Sequence, residues 1–132
     1  MPEKLSIPSD LSEARKLERK VLEQVARHGY SGSATFAIKL ALEEGLNNAI
    51  CHGNGYDPKK TVEVFYDVNS QRAEIVITDE GQGFHPKDVP DPTTDENIEK
   101  PCGRGIMLIR AYMDEMDFNT RGNQVRMVKH NH

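Results

Sequence analysis

The chain has 132 residues and a net charge of −4, enough for one domain that buries an apolar core without disulfides or a structural metal. Its 17 Lys and Arg are spread among 21 Asp and Glu, so no basic patch indicates direct nucleic-acid binding. No apolar run approaches the roughly 20 residues that cross a bilayer, and the first residues, Met-Pro-Glu-Lys, do not resemble a signal peptide. We therefore expect a single cytoplasmic domain that spans residues 1–132 and does not bind a membrane.

The first part of the chain predicts an extended arm followed by a helix. The arm covers residues 1–8. Asp10 with Glu13 three residues later is a variant of the capping box, which begins a helix. Apolar residues then recur at helical spacing until His28-Gly29 ends it.

A second helix, predicted from about Ser33 to Cys51, carries polar groups in unusual places. Glu44 and Asn48 are four residues apart, so they project from the same side of the helix, about one turn from each other. The apolar residues Ile38, Leu42, Leu46 and Ala49 lie roughly opposite, and the small residues Ala37 and Ala41 flank the polar pair. This pattern suggests a walled cavity, although an ordinary amphipathic helix with solvated Glu and Asn would give the same spacing.

The remainder predicts a hairpin, a long loop, a helix and a second hairpin. Residues 61–68 and 72–78 are rich in β-branched and aromatic residues on either side of a short turn. Residues 85–102 contain four prolines and no hydrophobic period, and a helix follows from Gly103. The closing hairpin is formed by residues 117–120 and 124–129. This order predicts an α+β fold, a two-layer sandwich with helices on one face of a mainly antiparallel sheet.

Both cysteines, Cys51 and Cys102, lack metal-ligand spacing. In a reducing compartment we expect them to remain free thiols. The five histidines are scattered and do not indicate a metal site either.

Three short motifs stand in order along the chain. They are Glu44 to Asn48 on a helix, Asp79-x-Gly81-x-Gly83 at the end of a strand, and Gly103-x-Gly105 at the start of a helix. An Asp-x-Gly-x-Gly segment alone is as consistent with a tight turn after a strand. Three such motifs in this order and in these structural contexts are much harder to attribute to chance than any one of them.

This set resembles the N, G1 and G2 boxes of the Bergerat-fold (GHKL) ATP-binding superfamily. The resemblance covers about residues 31–129. The Asn-Ala-Ile-x-His-Gly ending of the first motif is most similar to the bacterial anti-sigma-factor serine/threonine kinases. Sensor histidine kinases are disfavoured because no dimerisation helix with a phosphoacceptor His is present, and gyrase-like and MutL-like ATPases are disfavoured by length.

The resemblance implies a role for each motif residue. Asp79 would accept a hydrogen bond from the adenine amine, and Gly81 and Gly83 would let backbone approach the base. Asn48 would bind Mg2+, although Asn47 beside it leaves the ligand ambiguous, and Glu44 would act as general base.

The third motif and the long loop would serve the phosphates. Gly103 and Gly105 would offer backbone N–H groups at a helix start. Lys100 or Arg104 would neutralise the γ-phosphate, unless both are simply solvated loop charges. Residues 85–102 would form a lid over the nucleotide. Family members often carry a hydroxyl residue in the last strand near the nucleotide, whereas residues 122–125 here are Gly-Asn-Gln-Val, which puts a polar contact from that strand in doubt.

The implied function is that of an ATP- and Mg2+-dependent protein serine/threonine kinase. It would phosphorylate a STAS-type anti-anti-sigma protein and sequester a sigma factor, and the family resemblance implies a homodimer. The alternative is a regulatory module that binds ATP and its partners without transferring phosphate.

Overall fold

The computed structural model describes residues 2–81 and 105–131, with the backbone alone for residues 105–107. The elements follow one another as β1 (Glu3–Pro8), α1 (Leu11–Arg27), α2 (Gly32–Asn48), a π-helix (Ala49–Gly53), β2 (Thr61–Val68), β3 (Arg72–Thr78), α3 (Gly105–Tyr112), β4 (Glu115–Phe118) and β5 (Gln124–His130). None of the described helices is long and apolar enough to cross a membrane.

The strands form one antiparallel sheet in the order β1-β2-β3-β5-β4. The predicted arm is its edge strand, because residues 3–8 pair with β2. The predicted hairpin of residues 61–68 and 72–78 has the bounds expected from its β-branched residues. Strand β5 lies between β3 and β4, so Thr78 at the end of β3 pairs with Gln124 at the start of β5.

The helices cover one face of this sheet, as predicted for an α+β two-layer sandwich. Buried and partly exposed residues alternate along β2 and β3. The buried set packs against α1 and α2 in one core, whose fully buried large side chains include Ile38, Leu42, Leu46, Val64, Ile75 and Ile77. Two of the helices begin at side-chain caps, where Asp10 accepts from the Ser12 N–H at 2.8 Å and Ser31 accepts from the Ala34 N–H at 3.1 Å.

Helix α2 does not end as a regular α-helix. After Asn48 it continues as a π-helix, in which the Asn54 N–H donates to the carbonyl of Ala49, five residues back, at 2.9 Å. Short π-helical turns are rare and are frequently found at functional sites. This turn forms the second half of the predicted N box and leads into the loop that approaches β3.

Candidate functional site

The polar side of α2 is half-buried, as the sequence predicted. Glu44 and Asn48 are both partly exposed, while the helix residues on the core side are fully buried. Gly45, next to Glu44, allows α2 to approach the sheet closely, because a Cβ at this position would lie 2.8 Å from Ile77 Cδ1. The helix therefore presents a carboxylate and a carboxamide beside a tightly packed contact with β3.

The two neighbouring asparagines lie on different sides of α2. The side-chain oxygen of Asn47 accepts a hydrogen bond of 2.6 Å from Arg15 Nη2 on α1. Asn48 lies four residues after Glu44 and therefore projects from the Glu44 side of the helix.

Arg15 belongs to a charged cluster between α1 and α2. Its Nη1 lies 2.8 Å from Glu18 Oε2 and 3.9 Å from Glu43 Oε1. Glu18 is 4 % exposed, and among the described residues its Oε2 has no partner in hydrogen-bonding geometry despite the short distance to Arg15. Burial raises the pKa of Glu18 to about 7, against the opposing charge of Arg15 and with a further contribution from Glu43. This cluster therefore links α1 to the side of α2 that carries Glu43 and Asn47, which adjoins the side that carries Glu44.

Asp79 follows β3 directly, and its carboxylate is half-buried. Its Oδ1 accepts a hydrogen bond of 2.7 Å from the Gly81 N–H. The described residues offer no hydrogen bond to Oδ2. Burial raises the pKa of Asp79, while the Gly81 N–H and the charges of Arg121 and Lys60 oppose that shift. Among the described residues, Gly81 therefore fixes one oxygen of the Asp79 carboxylate, and none donates to the other.

Gly53 and Gly81 enclose this carboxylate. A Cβ on Gly53 would overlap the carboxyl group of Asp79, and a Cβ on Gly81 would overlap the Gly53 carbonyl. Only glycine fits at either position in this arrangement. The end of the first motif and the start of the second are therefore in direct contact, and they form a small cradle around Asp79.

Two residues of the turn before β5 make contacts that were not foreseen from the sequence. The Asp79 N–H donates to the Asn123 carbonyl at 2.9 Å, and Asn123 Nδ2 donates to the Asp79 carbonyl at 2.9 Å. Arg121 Nη2 donates to the Gly81 carbonyl at 3.2 Å. Asn123 thus supports the backbone of Asp79 from the region where family members often carry a hydroxyl residue.

Helix α3 packs on α2, and Gly105 of the third motif is its first residue. Phe36 near the start of α2 meets Tyr112 at the end of α3, with ring centroids 5.6 Å apart. This contact indicates that the two helices run in opposite directions. Gly83 of the second motif, the predicted phosphate residues Lys100, Gly103 and Arg104, and the predicted lid of residues 85–102 lie outside the described residues.

The expectation of free thiols is wrong for Cys51. In the structure Cys51, within the π-helix, is disulfide-bonded. The other cysteine of the sequence, Cys102, lies outside the described residues. Spacing along the chain excluded a metal site but could not show which sulfur atoms lie close together in the fold.

The site fits an adenine nucleotide better than a bare metal ion. The glycine cradle and the available oxygen of Asp79 suit the edge of a base that donates from an amine. In the described part of the chain, no group of three or more His, Cys, Asp or Glu can hold a metal ion. Mg2+ commonly binds through one or two protein ligands together with phosphates and water, so a single amide oxygen from Asn48 is consistent with it.

Comparison with known proteins gives matches over most of the chain. Residues 7–129 match the family described as the histidine kinase-like ATPase domain. The serine-protein kinase RsbW of Bacillus subtilis is 31% identical over 122 residues, which cover 85% of this chain and 75% of that protein. RsbW of Oceanobacillus iheyensis is 28% identical and covers 85% of this chain and 76% of that protein, and an anti-sigma F factor of Anoxybacillus flavithermus is 28% identical over 70% of this chain and 67% of that protein.

A solved structure of the RsbU and RsbW domains of a Mycobacterium tuberculosis protein has the same fold. Its TM-score is 0.65 at 16% sequence identity, and the match covers 99% of this chain. The chain spans about a third (32%) of that two-domain chain. At this identity the likeness concerns the fold alone.

Proposed function

Because the chain belongs to the histidine kinase-like ATPase domain family, we propose that it binds ATP with Mg2+ and transfers the γ-phosphate to a Ser or Thr of a STAS-type anti-anti-sigma protein. The resemblance inferred from the three motifs is confirmed, and the relatives support the predicted class of protein serine/threonine kinase. The observation that carries the nucleotide proposal is the half-buried Asp79 carboxylate within the Gly53 and Gly81 cradle.

In this proposal each described motif residue has a distinct task. Asp79 accepts a hydrogen bond from the exocyclic amine of adenine through the oxygen that Gly81 does not occupy. Asn48 offers its amide oxygen to Mg2+, which neutralises phosphate charge when bound. Glu44, one turn earlier, accepts the proton that the attacking Ser or Thr hydroxyl loses as its oxygen bonds to the γ-phosphorus, while the bond from that phosphorus to the bridging oxygen breaks and ADP leaves. The support is the shared half-buried side of α2, on which the four-residue spacing from Glu44 favours Asn48 as the ligand.

We further propose that Gly81, Gly83, Gly103 and Gly105 allow backbone to approach the nucleotide, with Lys100 or Arg104 as a cation near the γ-phosphate. In the same proposal residues 1–132 form a single ATPase domain in the cytoplasm. Its partners would be a sigma factor and a STAS-type antagonist, and it would act as a homodimer. The names of the relatives, serine-protein kinase and anti-sigma F factor, support these partners.

The alternative is a module that binds ATP and a sigma factor but transfers no phosphate. Glu44 favours the kinase, because a purely binding module does not need a carboxylate one turn from the metal ligand. The two functions differ in one measurement, the transfer of labelled phosphate to a partner.

The test compares Glu44→Gln with Glu43→Gln in transfer from radiolabelled ATP and Mg2+ to the cognate STAS protein. Gln keeps the shape of the side chain but cannot take a proton, so we expect Glu44→Gln to bind ATP and to lose roughly 10²- to 10⁴-fold in transfer rate. Glu43 is the matched control, since it faces Arg15 and should leave the transfer rate nearly unchanged. Transfer by Glu44→Gln at the parent rate would remove the general-base role, and absence of transfer by the parent to any STAS protein would favour the binding module.

A further inference from the structure

Asn54, the residue after the N-box glycine, is a buried amide that joins three segments of the chain. It is 2 % exposed. Its Nδ2 donates to Ser9 Oγ and to the Thr61 carbonyl, both at 2.9 Å. Its Oδ1 accepts from the Glu80 N–H at 2.8 Å. Nδ2 therefore uses both of its N–H groups, and Oδ1 accepts one hydrogen bond.

The bond to Glu80 reaches the centre of the adenine cradle. Glu80 lies between Asp79, whose carboxylate accepts from the Gly81 N–H, and Gly81 itself. Asn123 holds the backbone of Asp79 through two hydrogen bonds from the β5 side. Asn54 binds the N–H of Glu80 from the β1 and β2 side, in the same peptide group whose Asp79 carbonyl Asn123 Nδ2 binds. The Asp79 to Gly81 segment is thus fixed from two directions by asparagine side chains.

The partners of Asn54 explain why it can fix this segment firmly. Ser9 Oγ, which accepts from Asn54, donates in turn to the Lys60 carbonyl at 2.8 Å. The Glu80 side chain accepts from the Thr61 N–H, next to the carbonyl that Asn54 uses. Hydrogen bonds that are buried and fully paired are geometrically demanding, because a displaced group leaves its partner unsatisfied.

We propose that Asn54 is a positioning residue for adenine recognition. By holding the Glu80 N–H, it sets the course of the backbone on which the Asp79 carboxylate lies against Gly53. It acts on the base through Asp79 and does not contact the phosphates. This inference rests on the proposed function, in which Asp79 reads the adenine amine.

The test is the discrimination between ATP and inosine triphosphate, measured by calorimetry with Mg2+. Inosine carries a carbonyl oxygen where adenine carries the amine, and an N–H at N1, so the ratio of the two affinities separates recognition of this edge of the base, where Asp79 is proposed to bind, from the phosphate contacts. In the parent we expect a ratio of roughly 10 to 100 in favour of ATP, the value of one charge-assisted hydrogen bond. Asn54→Ala should lower ATP affinity by roughly tenfold and bring the ratio towards one, with little change for inosine triphosphate.

Asn131→Ala is the matched control. Asn131 also donates two hydrogen bonds from Nδ2 to backbone carbonyls, those of His28 and Ser70, but at the opposite end of β3. It should lower stability by a comparable amount while keeping the parental ratio. A folded Asn54→Ala variant with the parental ratio would overturn the inference, because the loss of a merely structural residue would lower the affinity for both nucleotides equally.

Ser9→Ala provides a second variant if Asn54→Ala does not fold. It removes the hydroxyl that accepts from Asn54 Nδ2 and leaves the bonds to Thr61 and Glu80. We expect a several-fold fall in the ratio, and an unchanged ratio would overturn the inference. A parent that does not prefer ATP to inosine triphosphate would refute the proposed adenine contact itself, which is a different result from the failure of Asn54 alone.

Discussion

Replacement of the buried Glu18 by Gln should stabilise the protein above neutral pH. Glu18 is 4 % exposed, and its pKa in the folded state is about 7, against an ordinary value of 4.5. The folded state therefore holds the proton more tightly than the unfolded state, and stability falls as pH rises from about 4.5 to 7. The difference between the two pKa values corresponds to a loss of about 3 kcal/mol from the free energy of unfolding at pH 8. Gln cannot ionise, so the variant avoids this loss.

Arg15 affects the size of this gain. Its charge opposes the rise in the Glu18 pKa, and this opposition is already included in the value of about 7. In Glu18→Gln, Arg15 loses one charged neighbour but keeps its hydrogen bond to Asn47 and its proximity to Glu43. About 3 kcal/mol is therefore the upper end of the pH-dependent gain.

Urea unfolding at pH 5 and pH 8 measures this effect. We expect the stability of Glu18→Gln relative to the parent to increase between the two pH values by up to about 2.5 kcal/mol, or about 8 °C in Tm, because part of the loss has already occurred at pH 5. Glu23→Gln, at an exposed position of the same helix, should change stability by less than about 0.5 kcal/mol at both pH values. A difference between Glu18→Gln and the parent that does not change with pH would refute the reasoning.

The other predictions concern the nucleotide site and use calorimetry with Mg-ATP. Asp79→Asn should weaken ATP binding by roughly 10- to 100-fold, and equal affinities would remove the basis for the adenine contact. Gly53→Ala should weaken ATP binding by up to about the same factor, because the new methyl displaces the Asp79 carboxylate, whereas Gly32→Ala, with open space around its Cβ, should not. Asn48→Ala should abolish the dependence of ATP affinity on Mg2+, while Asn47→Ala, which breaks the bond to Arg15, should retain it; the reverse result would assign the metal to Asn47.

Local patterns in the sequence predicted most of the elements. The first hairpin has the predicted bounds because β-branched and aromatic residues alternate on both sides of a turn-forming Asn-Ser-Gln. Helix α1 lies between the capping residue Asp10 and Gly29, whose φ of +69° favours glycine. Helical spacing places Glu44 and Asn48 on one side of α2, although it does not distinguish a half-buried side from a solvated one. These features depend on residues close together in the sequence.

Contacts between distant residues could not be predicted in this way. The position of β5 next to β3 brings Asn123 and Arg121 to Asp79 and Gly81, and no local pattern announces that register. The buried amide of Asn54 has the appearance of an ordinary loop residue in the sequence. Glu18 likewise reads as a solvated residue of an amphipathic helix, and its burial depends on how α1 packs against α2.

The π-helix after Asn48 affects how this chain aligns with its relatives and how it would respond to a one-residue deletion. A π-turn is equivalent to an α-helix with one inserted residue, and here the insertion lies between Ala49 and Gly53. Deletion of one residue from this turn would restore α-helical spacing and rotate the following loop by about 100° relative to Glu44 and Asn48. The deletion would leave the helical part of the N box intact but move its final glycine, Gly53, away from Asp79. A relative that aligns with a one-residue gap in this turn should therefore have a differently arranged adenine pocket.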